Sequence, residues 1–100
     1  EVKIVFYRVA QEALNNIAKH SGAKNALVEL SVNEDPNLGI IVAALRVTDD
    51  GKGFELQNVD SGHFGLGIMK ERAESAGAKL TVSSKPGCGT KVELEWVGSK

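Results

Sequence analysis

Residues 40–54 read IIVAALRVTDDGKGF. The first nine are almost continuously apolar, and a short run of that kind reads as a central strand of a sheet. It ends on Asp49 and Asp50, after which Gly51 and Gly53 let the backbone approach a neighbour closely. Two readings of that ending stand open. An Asp-Gly pair is an ordinary hairpin turn signal, or the strand delivers a carboxylate to the rim of a ligand site.

Upstream, NALVELSV (residues 25–32) alternates, with Ala26, Val28, Leu30 and Val32 on one side and Glu29 and Ser31 on the other. That is the pattern of a half-buried strand. The turn-rich NEDPNLG between the two runs makes them an antiparallel hairpin. The chain opens with a helical segment, residues 2–20, in which Phe6, Val9, Ala10, Ala13, Leu14 and Ile17 recur at helical spacing. Ser21-Gly22 closes it, Gly being suited to the left-handed C-terminal position. A second helix spans residues 66–76, with Leu66, Met69, Ala73 and Ala76 at 3-4-3 spacing, and stops at Gly77. The last third, AKLTVSS-KPGCG-TKVELEWV, is a second hairpin whose final strand turns Val92, Leu94 and Trp96 one way. The sum is an α/β two-layer sandwich: a mixed, mostly antiparallel sheet covered by helices on one face.

Composition narrows the function. With 100 residues there is room for one domain. A net charge of −1 offers no broad electrostatic footprint for nucleic acid or an anionic membrane surface. An anionic ligand must therefore be held by local groups. Cys88 is the single cysteine, which excludes an internal disulfide and fits a reducing compartment. No apolar run approaches the roughly 20 residues of a membrane span. The first residue is Glu, and a piece of a longer protein is expected.

Four segments carry candidate chemistry. In RVAQEALNNIAKH (residues 8–20), Arg8, Glu12, Asn16 and His20 are four apart and form one stripe, with Asn15 and Lys19 beside it. The stripe offers a carboxylate, an amide oxygen and cationic donors, a set suited to hydrated Mg²⁺ and phosphate; taken alone it reads first as a solvated face with an Arg8–Glu12 ion pair. The D-x-G-x-G of residues 49–53 lacks the further acidic ligands of a calcium loop and the G-K-[ST] of a P-loop. In GHFGLGIMKERAESAG (residues 62–77), glycines 62, 65 and 67 run into the second helix, where free backbone N–H groups can meet phosphate. The G-C-G-T of residues 87–90 is otherwise a plain turn between strands.

In this order and spacing the four segments resemble the GHKL ATPase superfamily, from the N-box through the successive glycine boxes, over essentially the whole chain. YRVAQEALNNIAKHSGAKN and GHFGLGIMKERAESAGAKLTVSSKPGCGTKVELEW are most similar to sensor histidine kinases of the nitrate-sensor (NarL-partner) type. The resemblance implies the Bergerat fold and an ATP-binding catalytic domain using Mg²⁺. By position it implies that Asn16 coordinates Mg²⁺ and that Glu12 is the acidic residue acting as base in the ATP-hydrolysing branches. Lys19 and His20 would meet the phosphates. Asp49 would accept from the adenine amino group, beside Gly51 and Gly53. Gly65, Leu66 and Gly67 would lie at the phosphate end of a short lid, and Thr90 would support the adenine pocket.

The implied partners are ATP, a phosphoacceptor-histidine dimerisation domain of the same protein and a downstream response regulator, without nucleic acid or direct membrane contact. The implied location is cytoplasmic, with the anchoring of the parent protein left open. His20 and His63 both fall in nucleotide-site segments, so neither is expected to be the phosphoacceptor. Two alternatives share the fold: an anti-sigma-factor serine kinase, and an interaction module that binds no nucleotide.

Overall fold

The computed structural model describes residues 2–53 and 66–99, the side chains of His20, Ser21 and Leu66 excepted. Helix α1 (Val2–Asn16) buries Val5, Val9 and Ala13, spaced by four so that they form one stripe. Phe6, Ala10 and Ile17 flank that stripe against the core. Leu14, expected in the core, is 43% exposed, because its outward side is shared with Ile4 and Tyr7. Val5, which the spacing argument passed over, takes the buried place.

The helix does not run to His20 as a regular α-helix. Ile17–Ser21 form a π-helical turn, closed by Gly22 in the left-handed region at φ 63°. The wider turn breaks the four-residue register. The stripe Arg8, Glu12, Asn16 is therefore helical, whereas His20 does not continue it.

Strands β1 (Ala26–Asp35) and β2 (Ile40–Asp49) form the expected hairpin. Asp35 shapes its turn by accepting from the backbone N–H groups of Asn37 and Leu38. Helix α2 (Leu66–Ser75) buries Met69 and Ala73. Strands β3 (Ala78–Ser84) and β4 (Thr90–Ser99) form the second hairpin. The two hairpins join through β2 and β4, giving the order β1-β2-β4-β3 with every described pairing antiparallel.

The core lies between the helices and one face of the sheet, where Leu45, Val47, Leu80, Val92 and Leu94 meet α1 and α2. Trp96 lies over Gly98, where a Cβ would overlap its indole ring. On the opposite face Glu29, Arg46 and Glu93 stand in one cross-strand row, with Arg46 within 3.9 Å of Glu29 and 3.3 Å of Glu93. These pairs are exposed and worth little individually.

One expectation changes here. β1 carries its alternating pattern on the core face, with Leu30 opposite Leu45 and Val28 opposite Val47. Yet Val28, Leu30 and Val32 are exposed, so the strand is not half-buried. The helices pack over β2, β4 and β3, and β1 lies at the sheet edge beyond them.

Candidate functional site

At one end of the sheet Asp49, the last residue of β2, pairs with Thr90, the first of β4, and Thr90 pairs with Ser84, the last of β3. All three sit on the helix-bearing face, being in phase with Val47, Val92 and Leu80. Asp49 is half-buried, and its Oδ1 accepts the Gly51 N–H at 2.8 Å, an Asx turn that aims the carboxylate.

The two glycine segments meet here. Gly53 (φ 65°) packs on the hairpin so closely that a Cβ would overlap the Lys85 carbonyl oxygen. Gly89 (φ 74°) packs against the Asp49 carbonyl in the same way. Gly87 N–H donates to the Lys52 carbonyl between them. Only glycine satisfies both the φ and the space. The D-x-G-x-G and G-x-G-T segments, thirty-odd residues apart in the chain, are thus one packed unit.

Beside this unit is an open cleft of about 530 Å³, whose lining includes Thr48, Asp49, Lys85, Gly89, Thr90 and Lys91. Ser84 also lines it and was not singled out in the sequence. Its hydroxyl donates to Gly89 O at 3.0 Å and lies 2.9 Å from Thr90 Oγ1, so it holds Thr90 and the turn together. A serine ending a strand before a Pro-Gly turn gives no distinguishing signal.

Glu12 and Asn16 are half-buried on α1, and Lys19 is exposed on the π turn. Among the described residues, none lining this cleft comes from α1. Gly67 is half-buried in the first turn of α2, and Leu66 begins that helix. Gly65 and His63 lie outside the described residues, as does the His20 side chain.

Residues 24 and 25, which follow the π turn and lead into β1, are tied to the end of β2 by a residue the sequence reading left unassigned. Asp50 Oδ1 accepts the backbone N–H groups of Lys24 and Asn25 at 2.9 and 3.0 Å, and Oδ2 accepts Asn25 Nδ2 at 2.9 Å. In return Asp50 N–H donates to Asn25 O at 3.2 Å. The Asn25 N–H and side-chain amide, with the Lys24 N–H, hold the Asp50 carboxyl below the ordinary aspartate range.

Residues 1–98 match the family described as histidine kinase-, DNA gyrase B-, and HSP90-like ATPase. The chain is 37% identical over 89 residues to sensor histidine kinase LiaS of Bacillus subtilis, covering 89% of this chain and 23% of that protein. With sensor histidine kinase YhcY of the same species the identity is 42% over 96 residues, covering 94% and 24%. The chain thus spans about a quarter of the length of these relatives. In fold it is similar to the histidine kinase domain of the Erythrobacter litoralis EL346 blue-light activated histidine kinase. That likeness has a TM-score of 0.62 at 24% identity, over 87% of this chain and 40% of that one.

Proposed function

Because the chain belongs to the histidine kinase-, DNA gyrase B-, and HSP90-like ATPase family, we propose that it is the ATP-binding catalytic domain of a two-component sensor histidine kinase. It binds Mg-ATP, and the γ-phosphoryl group passes to a histidine on a separate dimerisation domain of the parent protein, with a response regulator downstream. Within the sensor kinases we assign it to the nitrate-sensor (NarL-partner) type, on the N-box sequence of residues 7–25 and the short sequence between Gly53 and the glycine loop. The observation that carries the reading is the packing of Gly53 on the Lys85 and Gly89 carbonyls and of Gly89 on the Asp49 carbonyl, beside a cleft that Asp49 lines.

In this reading Asp49 accepts from the adenine amino group. Gly51 N–H engages Oδ1, so Oδ2 is the acceptor for the base. A charge-assisted bond of this kind is worth roughly 1.5–3 kcal/mol. Gly51 and Gly53 keep side chains away from the base, and Thr90, held by Ser84, supports the pocket wall.

The donor set fits Mg²⁺ held chiefly by the nucleotide. Among the described residues no three His, Cys, Asp or Glu side chains converge, and Asn16 offers a neutral amide oxygen from a half-buried position. Mg²⁺ accepts one or two protein oxygens with phosphate oxygens and water. Bound there, the ion neutralises phosphate charge. Lys19 and His20 supply donors to the phosphates, and Glu12, one turn before Asn16, sets a carboxylate beside them as acceptor or general base. Gly65, Leu66 and Gly67 bring backbone N–H groups of the α2 entry to the same charges.

Calorimetric titration with a non-hydrolysable ATP analogue tests this. The parent chain should bind in the presence of Mg²⁺, Asp49→Ala should not bind, and Asn16→Ala should bind with its Mg²⁺ dependence gone. If both variants bind like the parent, the site is wrongly placed. No heat at millimolar nucleotide would leave a non-catalytic interaction module as the better reading.

A further inference from the structure

We propose that Asp50 is a positioning residue of the nucleotide site, clasping residues 24–25 to the end of β2 and so holding the phosphate-side arm in register with the adenine-side arm. The inference rests on the nucleotide reading above and adds to it a residue with no contact to the ligand.

The two arms come from distant parts of the chain. The phosphate-side groups Asn16, Lys19 and His20 lie at the end of α1 and in the π turn that ends at Ser21. The adenine-side group Asp49 ends β2. Only Gly22 and Ala23 separate the π turn from Lys24, the first residue held by the clasp. Successive strand residues face opposite sides, so when Asp49 turns to the cleft, Asp50 turns away from it, toward Lys24 and Asn25.

Four hydrogen bonds then join residue 50 to residues 24 and 25, three into its carboxylate and one from its own N–H. Carboxylate acceptors give the stronger class of hydrogen bond. The last bond carries the β1–β2 ladder one residue past the Ala26–Asp49 pair. A displacement of the π turn relative to Asp49 must strain or break this set. Because α1 is itself held by the burial of Val5, Val9 and Ala13, loss of the clasp frees the π turn that carries Lys19 and His20 to sample positions that do not suit a nucleotide spanning both arms.

A ligand that uses one arm and a ligand that uses both separate the consequences. Adenosine meets Asp49 and Thr90, whose support comes from Ser84, Gly89 and the β3–β4 turn rather than from Asp50. An ATP analogue with Mg²⁺ spans both arms. The titration therefore compares adenosine with the Mg-bound analogue in the parent chain, Asp50→Ala, Asp50→Asn and Asn25→Ala.

In Asp50→Ala, affinity for the analogue should fall roughly tenfold, the cost of re-ordering a single backbone residue on binding, while adenosine affinity stays at the parent value. Asp50→Asn should restore the analogue: its amide oxygen accepts both backbone N–H groups, and the Asn25 amide turns to accept from its nitrogen. Asn25→Ala, which removes one bond and keeps the fold's other ties, should shift the analogue alone, by a smaller factor. It decides the matter if Asp50→Ala does not fold. Equal losses for both ligands, or no loss for either, overturn the clasp and leave the nucleotide site standing. If the parent binds neither ligand, the nucleotide reading falls and the clasp with it.

Discussion

Gly89 packs on Asp49 with no room for a side chain: a Cβ at position 89 would overlap the Asp49 carbonyl oxygen, and its φ is 74°. Gly22 has a similar φ, 63°, with nothing within 4 Å of its would-be Cβ. The pair separates two effects. Gly22→Ala should destabilise by about 1–2 kcal/mol, the cost of a left-handed L-residue. Gly89→Ala should cost clearly more, since the hairpin must also retreat from β2, and adenosine binding should be lost with it. Urea denaturation and adenosine titration of both variants check this. Equal stabilities would mean the hairpin gives way freely.

A second comparison uses one row of the sheet. Leu30, Leu45 and Leu94 are register partners on the same face. Leu94 is 1% exposed and Leu30 is 66% exposed. Leu94→Ala should lower stability by about 2–5 kcal/mol. Leu30→Ala should fall within about 0.5 kcal/mol of the parent. Denaturant midpoints at constant slope give both values. A large loss at Leu30 in this chain would place a covering element over β1.

These residues also show where sequence pattern stops informing. Alternation along Ala26, Val28, Leu30 and Val32 correctly reports which side chains share a face. It cannot report how far the helices reach across that face, because coverage depends on sheet order, and the β2–β4 pairing is not encoded in either hairpin alone. In α1 both period and phase were legible, since Val9 and Ala13 are buried and Phe6, Ala10 and Ile17 pack beside them; only the edge of the stripe was misplaced, with Leu14 outside it and Val5 inside. The D-x-G-x-G and G-x-G-T segments were legible because left-handed, side-chain-free positions leave a glycine signature. The Asp50 clasp was not, since its partners lie 25 and 26 residues away and are mostly backbone N–H groups. Ser84 escaped for a different reason: its partners are only five and six residues on, but a hydroxyl aimed at the Gly89 carbonyl and at Thr90 leaves no pattern in the sequence.

The clasp has a pH signature whose sign follows from its hydrogen bonds. Asp50 accepts from N–H donors in the folded chain, which holds its carboxyl below the ordinary value of 3.8. The unfolded chain therefore takes up the proton first as pH falls. The stabilisation is complete above 3.8 and is lost as pH drops through the lower folded-state value. Thermal melts of the parent and Asp50→Ala should differ by a constant gap from neutral pH down to about pH 5. The gap should narrow below pH 3.8. A gap unchanged at lower pH would mean that the carboxylate charge contributes nothing to holding residues 24 and 25.

Phosphoryl transfer needs a nucleophile that these 100 residues are not expected to supply. A histidine acceptor must reach the γ-phosphorus in line with the leaving oxygen. The chain has two histidines, His20 and His63. In the proposed site His20 follows Lys19 as a phosphate ligand rather than as the acceptor. His63 lies within the glycine segment that runs into α2 in sequence, between Gly62 and Gly65. Incubation with γ-labelled ATP and Mg²⁺ should therefore leave no stoichiometric acid-labile label on this chain, although the nucleotide binds. Adding a helical domain that carries the phosphoacceptor histidine of a sensor kinase supplies the missing nucleophile, and label should then appear on that domain in trans. Label on this chain that His20→Ala or His63→Ala removes would reverse the assignment of that histidine from ligand contact to acceptor.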